Sequence, residues 1–239
     1  MTTRRTLLLG GAAVAVAAAG AGAYAIFGTG SPSGPSTSGP VADGDAVTSV
    51  RPSPNASVNI DALHEPGPLG EVALGADDAP VVIVEYASLT CGHCANFHNH
   101  TYPTLKTNYI DTGRARLLFR EFPLDPIATA AAMIARCMPE DRFFAFVDVL
   151  FQQQRAWAYS DSPLEEIGKI SRQIGFSQQD LDACLQNQSV LDGVNAVKNR
   201  ASSEFAVQST PTFFINGELL RGARPIDEFD TRIEALLTA

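Results

Sequence analysis

Two cysteines separated by two residues, Cys91-Gly92-His93-Cys94, stand four residues after a run of β-branched and aromatic side chains, Val81-Val82-Ile83-Val84-Glu85-Tyr86. A run of that kind reads as a buried strand, and the segment from about Cys91 to Asn108 reads as a helix, interrupted or bent at Pro103. The tetrad therefore lies where a strand hands over to a helix. Disulfide exchange needs a thiolate, because the thiol is a poor nucleophile. A helix N-terminus offers free N–H groups and about half a positive charge, which favours the anion. His93, between the sulfurs, can add a hydrogen bond or a positive charge to Cys91. Together such effects bring a cysteine pKa from roughly 8.5 into the range of about 3.5–7.5. Two intervening residues leave Cys94 within bonding reach, so it can attack a mixed disulfide formed at Cys91 and release the substrate.

Other uses of the spacing fit less well. A C-x-x-C pair can be half of a zinc site, with His93, His98 and His100 as further ligands. Yet Cys137 and Cys184 lack an x-x spacing of their own, and one helix face cannot present all three histidines. His98 and His100 read as ordinary surface polar residues. Haem attachment needs His directly after the second Cys, and Ala95 is there instead. The surviving alternative of another class is a periplasmic metal- or copper-binding protein using Cys91, Cys94 and a histidine. The formal net charge of -9 argues against nucleic acid as a partner, since an acidic surface repels phosphate backbones.

The N-terminus directs the chain out of the cytoplasm. Arg4-Arg5 precedes a weakly apolar stretch from Leu7 to Phe27, in which nine of 21 residues are Ala and four are Gly. Residues 1–28 thus resemble a twin-arginine signal peptide, with Ala21-Gly22-Ala23 as a cleavage site; uncleaved, the stretch could anchor the protein in a membrane. The expected location is periplasmic or otherwise extracytoplasmic, where disulfides persist. Thr29 to Pro54 carries five Pro, four Gly and nine Ser or Thr, so residues 29–69 read as a flexible linker with order beginning near Gly70.

Beyond the linker, Glu71 to Leu74 and Ala115 to Phe122 read as strands flanking the tetrad unit, and Ile127 to about Phe205 is helical throughout. Ser162-Pro163 and Ser177-Gln178-Gln179-Asp180 mark helix starts within that block. Thr212 to Ile215 and Glu218 to Arg221 surround Asn216-Gly217, a hairpin signal, and a last helix runs from about Pro225 to Leu237. Trp157 with Phe143, Phe144, Phe146 and Phe151 reads as helix core. No internal repeat is present.

Cys91-Gly92-His93-Cys94, Glu85 six residues earlier and Thr210-Pro211-Thr212-Phe213 together resemble the DsbA branch of the thioredoxin superfamily. The resemblance runs from about Gly70 to Ala239 and implies an α/β class, a thioredoxin fold with an inserted helical domain at about residues 127–205. It implies a protein thiol–disulfide oxidoreductase, most simply an oxidase donating its disulfide to newly exported, reduced proteins. A membrane redox partner that reoxidises the pair is implied, and no metal or organic cofactor. Gly92 departs from the Pro of the best-known periplasmic oxidases; the CGHC tetrad is that of eukaryotic disulfide isomerases. A reductase or isomerase of the same fold therefore stays open.

The resemblance also implies roles for further residues. Thr210-Pro211 would be a cis pair beside the cysteines, with Thr210 contacting an extended substrate. Glu85, in a run that should be buried, suits a proton acceptor for the Cys94 thiol, because burial raises a carboxyl pKa. Cys137 and Cys184 are expected to form a second, non-catalytic disulfide, two separate buried thiols being the alternative.

Overall fold

The computed structural model describes residues 58–239. The expected signal segment, 1–28, and most of the expected linker lie outside these residues. Among those described, no helix is long and apolar enough to cross a membrane.

The centre is a five-stranded sheet in the order β1-β3-β2-β4-β5. Strand β2 (Val81–Ala87) pairs in parallel with β3 (Ala115–Glu121) and antiparallel with β4 (Thr212–Ile215). The short β1 (Ala73–Leu74) and β5 (Glu218–Arg221) close the edges, both antiparallel. Only two residues of the expected Glu71–Leu74 strand pair. At Gly75, φ is +109°, and a Cβ there would come within 2.7 Å of the Ala115 carbonyl oxygen. Asn216 and Gly217 take φ of 44° and 86°, the left-handed pair that a tight hairpin demands. The Asn216 side chain also accepts from Val82 N at 2.7 Å, so the turn pins the start of the central strand.

Period-two alternation divides β2 between two faces. Val81 and Ile83 join Phe97, Leu105, Phe213 and Phe229 in one buried cluster. Val84 and Tyr86 face the other way, against Leu63, Val197 and Phe214. The first face is covered by a helical run from Gly92 to Ile110 and by α10 (Ile226–Leu237). Within that run, α2 (Gly92–Asn96) and α3 (Tyr102–Leu105) alternate with π-helical stretches, Phe97–Thr101 and Lys106–Ile110. The chain does not break at Pro103. Wider π turns on either side accommodate a residue that has no N–H to donate.

Between β3 and β4 lies the helical block: α4 (Pro126–Cys137), α5 (Glu140–Gln152), α6 (Gln154–Ala158), α7 (Pro163–Gln173), α8 (Gln178–Leu185) and α9 (Gln188–Glu204). Helix α8 opens with a reciprocal capping box between Ser177 and Asp180. Ser162 holds the cap position of α7 but its hydroxyl makes no cap hydrogen bond; Pro163 and two acidic residues in the first turn start that helix. Trp157, Phe143, Phe146 and Phe151 are all core. Cys137, ending α4, is bonded to Cys184 of α8.

The linker expectation fails at its C-terminal end. Residues 60–64 form α1 (Ile60–His64), capped by Asn59, and Leu63 is fully buried. Arg120 of β3 holds this segment, donating to the Leu63 carbonyl at 2.7 Å, to Tyr86 Oη and to Glu71. Pro-rich composition concealed one apolar anchor and a buried cation waiting for carbonyl partners.

Candidate active site

Strand β2 ends at Ala87, and the loop Ser88–Thr90 turns the chain so that Cys91 caps α2 in an extended conformation, φ -77° and ψ 118°. Cys91 N donates to Ser88 O at 3.0 Å and Ala95 N to Cys91 O at 3.0 Å. The loop is held from the helical block as well. Gln154, buried at the head of α6, donates to the carbonyls of Leu89 at 2.8 Å and Cys91 at 3.0 Å. Asp125 both caps α4 and accepts from Thr90 Oγ1. Neither anchor was legible in the sequence, because each joins segments more than thirty residues apart.

The two cysteines are free thiols with different surroundings. Cys91 is 9% exposed and Cys94 is fully buried, so only the first can be reached from outside. The Cys91 pKa is lowered to about 5. The hydrogen bond from the Cys94 thiol is the largest cause, joined by the Thr210 hydroxyl and the backbone N–H groups of Cys94 and His93, against the opposing effect of burial. Cys94 moves the opposite way, well up, chiefly through burial and then through its bond to Cys91 and the negative charges of Cys91 and Glu85. The site thus separates a nucleophile that is ionised at neutral pH from a thiol that keeps its proton.

His93 contributes differently from expectation. Its ring is exposed and makes no hydrogen bond to Cys91; the stabilising group is its main-chain N–H. Residue position at the helix head, and not imidazole chemistry, supplies the donor.

The Thr210–Pro211 peptide bond is cis, immediately before β4. As a thiol, Cys91 Sγ donates to the Thr210 carbonyl at 3.4 Å. The Thr210 hydroxyl is buried with no hydrogen-bond partner among the described residues, so it is free to turn onto the sulfur once that sulfur is an anion.

Glu85 is fully buried on β2, on the same strand face as Ile83, and its carboxylate contacts His98. His98 is not a surface residue. It is 5% exposed, and its Nε2 lies 3.0 and 3.2 Å from the two Glu85 oxygens. A usable signal existed: His98 follows Cys94 by four residues, so an inward Cys94 brings His98 inward on the same helix face. His100 is exposed, as expected. Among the described residues, no three or more His, Cys, Asp or Glu side chains converge as metal ligands.

Beside the tetrad, a groove of about 880 Å³ runs along α2 and the α5–α6 junction, lined by Gly92, Ala95, Asn99, Gln153 and Tyr159 among others.

Comparison with known proteins agrees with this geometry. A family profile described as Thioredoxin matches residues 69–235. A Rickettsia typhi protein named "Putative protein-disulfide oxidoreductase" is 34% identical over 148 residues, covering 62% of this chain and 55% of that protein. The chain spans just over half of the length of this relative. The "Probable disulfide bond formation protein D" of Bacillus cereus is 29% identical over 172 residues, covering 69% of this chain and 76% of its own. The crystal structure of Wolbachia pipientis alpha-DsbA1 superposes with a TM-score of 0.69 at 30% identity, covering 74% of this chain and 96% of that one. The thioredoxin fold, its inserted helices and these relatives leave one assignment: the chain belongs to the DsbA-like branch of the thioredoxin superfamily.

Proposed function

We propose that the protein is an exported thiol–disulfide oxidoreductase acting as an oxidase, which donates a Cys91–Cys94 disulfide to newly exported proteins. The observation that carries this reading is the contrast between the two sulfurs: Cys91 is reachable with a pKa lowered to about 5, and Cys94 is buried with its pKa raised. Stabilising the Cys91 thiolate stabilises the reduced form, and a stable reduced form makes the disulfide a willing oxidant.

In the forward step a substrate thiolate attacks Cys91 Sγ, the Cys91–Cys94 bond breaks, and Cys94 leaves as a thiolate that takes up a proton. A second substrate thiolate then attacks the substrate sulfur of the mixed disulfide, and Cys91 leaves as the stabilised anion. Glu85 exchanges the proton with Cys94. The amide of His93 supports the Cys91 anion. Thr210, with Pro211, offers its main chain to an extended substrate strand. Export rests on the twin-arginine-like segment, and reoxidation by a membrane partner on the family resemblance; reduced exported polypeptides are the substrates.

The test is equilibration of the full chain with glutathione redox buffers. An oxidase requires a potential well above thioredoxin's, nearer about -120 mV than about -270 mV. A value at or below about -270 mV would replace the oxidase with a reductase.

A further inference from the structure

A buried thiol that gains and loses a proton in each cycle needs a route for it. Cys94 has no exposure, and Glu85, whose negative charge acts on it, has none either. The Glu85 carboxylate opens instead onto His98, which stands between it and Asp148 of α5. His98 Nε2 meets Glu85 at 3.0 Å on one side; on the other, Nδ1 points toward Asp148 Oδ1 at 3.9 Å. Nδ1 is buried and has no hydrogen-bond partner among the described residues. Asp148 is one-third exposed, so it reaches water.

The surroundings make His98 an unusual choice for mere packing. Its ring stacks on Phe151 at 4.2 Å and is walled by Phe97, Tyr102 and Phe119. Any apolar side chain of similar size would fill that space without leaving a ring nitrogen unpaired. The ionisable groups facing it are few: Glu85 from β2, Asp148 from α5, and Tyr102 from its own helical run, with Lys106 acting on Asp148 from beyond. Burial holds the Tyr102 hydroxyl protonated, in the field of both Asp148 and Glu85, and it too is without a partner among the described residues.

We propose that His98 carries protons between Glu85 and Asp148, giving Cys94 a proton route through the protein interior to the surface of α5. The proposal rests on Cys94 being the resolving thiol and Glu85 its proton partner. When Cys94 leaves the disulfide as a thiolate, Glu85 gives it a proton. His98 replaces that proton from Nε2 while Nδ1 takes one from Asp148, and Asp148 refills from water. The imidazole gains one proton at Nδ1 and loses one at Nε2, ending as the other neutral tautomer, which the opposite transfers of reoxidation restore. In reoxidation, with Cys91 held in a mixed disulfide with a disulfide oxidant, every transfer runs in reverse: the Cys94 S–H bond breaks, its proton passes outward, the thiolate attacks Cys91 Sγ, and the oxidant's sulfur leaves as a thiolate. His98 touches neither sulfur and is a positioning and relay residue.

The test follows the reduced full-length protein reacting with oxidised glutathione in quenched flow, from pH 5 to 9. Two steps are resolved by mass: glutathione adding to Cys91, then Cys94 displacing it. His98→Gln keeps an N–H for Glu85 and nearly the same volume but cannot take up a proton. It should slow the second step by about tenfold or more and change its pH profile, with the first step unaltered. Asp148→Asn, at a one-third exposed position, should slow the same step by a smaller factor. The double variant should be no slower than His98→Gln alone, because both lie on one route. A second step of wild-type rate and pH profile in His98→Gln overturns the proposal, as do equal slowing of both steps or effects that multiply in the double variant. If His98→Gln does not fold, Asp148→Asn decides by the same step and profile. Failure of the underlying reading looks different: the wild-type protein would then form no mixed disulfide at Cys91.

Discussion

At Cys91 the protein converts a few hydrogen bonds into a redox property. Its pKa of about 5 means that the reduced pair carries two protons below that pH and one above it. The group is an acid with a depressed pKa. Its stabilisation of the reduced fold is therefore complete above the ordinary thiol pKa and is lost as pH falls through about 5. The reduction potential should fall by about 59 mV per pH unit below pH 5 and by about 30 mV per unit from there to about pH 9. Potentials measured against glutathione across that range check the break; a single slope of about 59 mV to pH 8 would mean an unperturbed thiol. The donors can be separated too. His93→Ala keeps the amide and should leave the Cys91 pKa near its present value, whereas His93→Pro, tolerated in a first helical turn, removes the N–H and should raise it. Thiolate absorbance titrations of both variants give the answer, and a rise in His93→Ala as large as in His93→Pro would restore the role to the ring. Cys91 and Cys94 were legible in the sequence because spacing and helix position define them. Which atom of His93 acts was not, since main-chain donors leave no mark on residue identity. At His98 polar type and the i+4 relation to Cys94 point opposite ways, and in a run that turns π the sequence does not say which prevails.

Elements bring the site together from three parts of the chain. The parallel pair β2–β3 and the Asn216-Gly217 hairpin were readable, since β-branched runs and a left-handed turn pair have local signatures. The clamp by Gln154 was not, because a buried glutamine looks like any other in a run of three. The helical block is tied internally by Cys137–Cys184, which joins the end of α4 to α8 across 47 residues of sequence. Closing a loop of that size stabilises the fold by about 4 kcal/mol on the chain-entropy view. Replacing both cysteines by Ala should therefore lower unfolding free energy by about that much in urea titrations. The bond lies in the insertion and does not touch the tetrad, so the rate at which Cys91 reacts with oxidised glutathione should persist in the same variant. Loss of that rate in a folded variant would show that the second disulfide supports the loop held by Gln154.

Across the whole molecule, the sheet is closed from below by a segment that composition assigned to the linker. Three arginines gather there. Arg120 and Arg200 donate to the carbonyls of Leu63, Ala62 and Glu65, and Arg136 donates to Gly70 while paired with Glu121. Arg120 is 3% exposed, so its charge depends on those carbonyls, on Tyr86 and on Glu71. Leu63 packs in the same cluster as Tyr86 and Phe214, the face of β2 and β4 opposite the active site. The segment thus sets both the back of the central strand and the solvation of a buried cation. Leu63→Ala should cost about 3 kcal/mol, from lost burial plus the cavity left beneath β2. Arg200→Ala, which removes a partner of the same carbonyls that is 22% exposed, should cost about 1 kcal/mol or less. Urea unfolding of the two variants separates the cases. If residues 58–69 behaved as a tether, both substitutions would be silent; if they are part of the domain, Leu63→Ala alone takes a large share of a stability that totals about 5–15 kcal/mol for proteins of this kind.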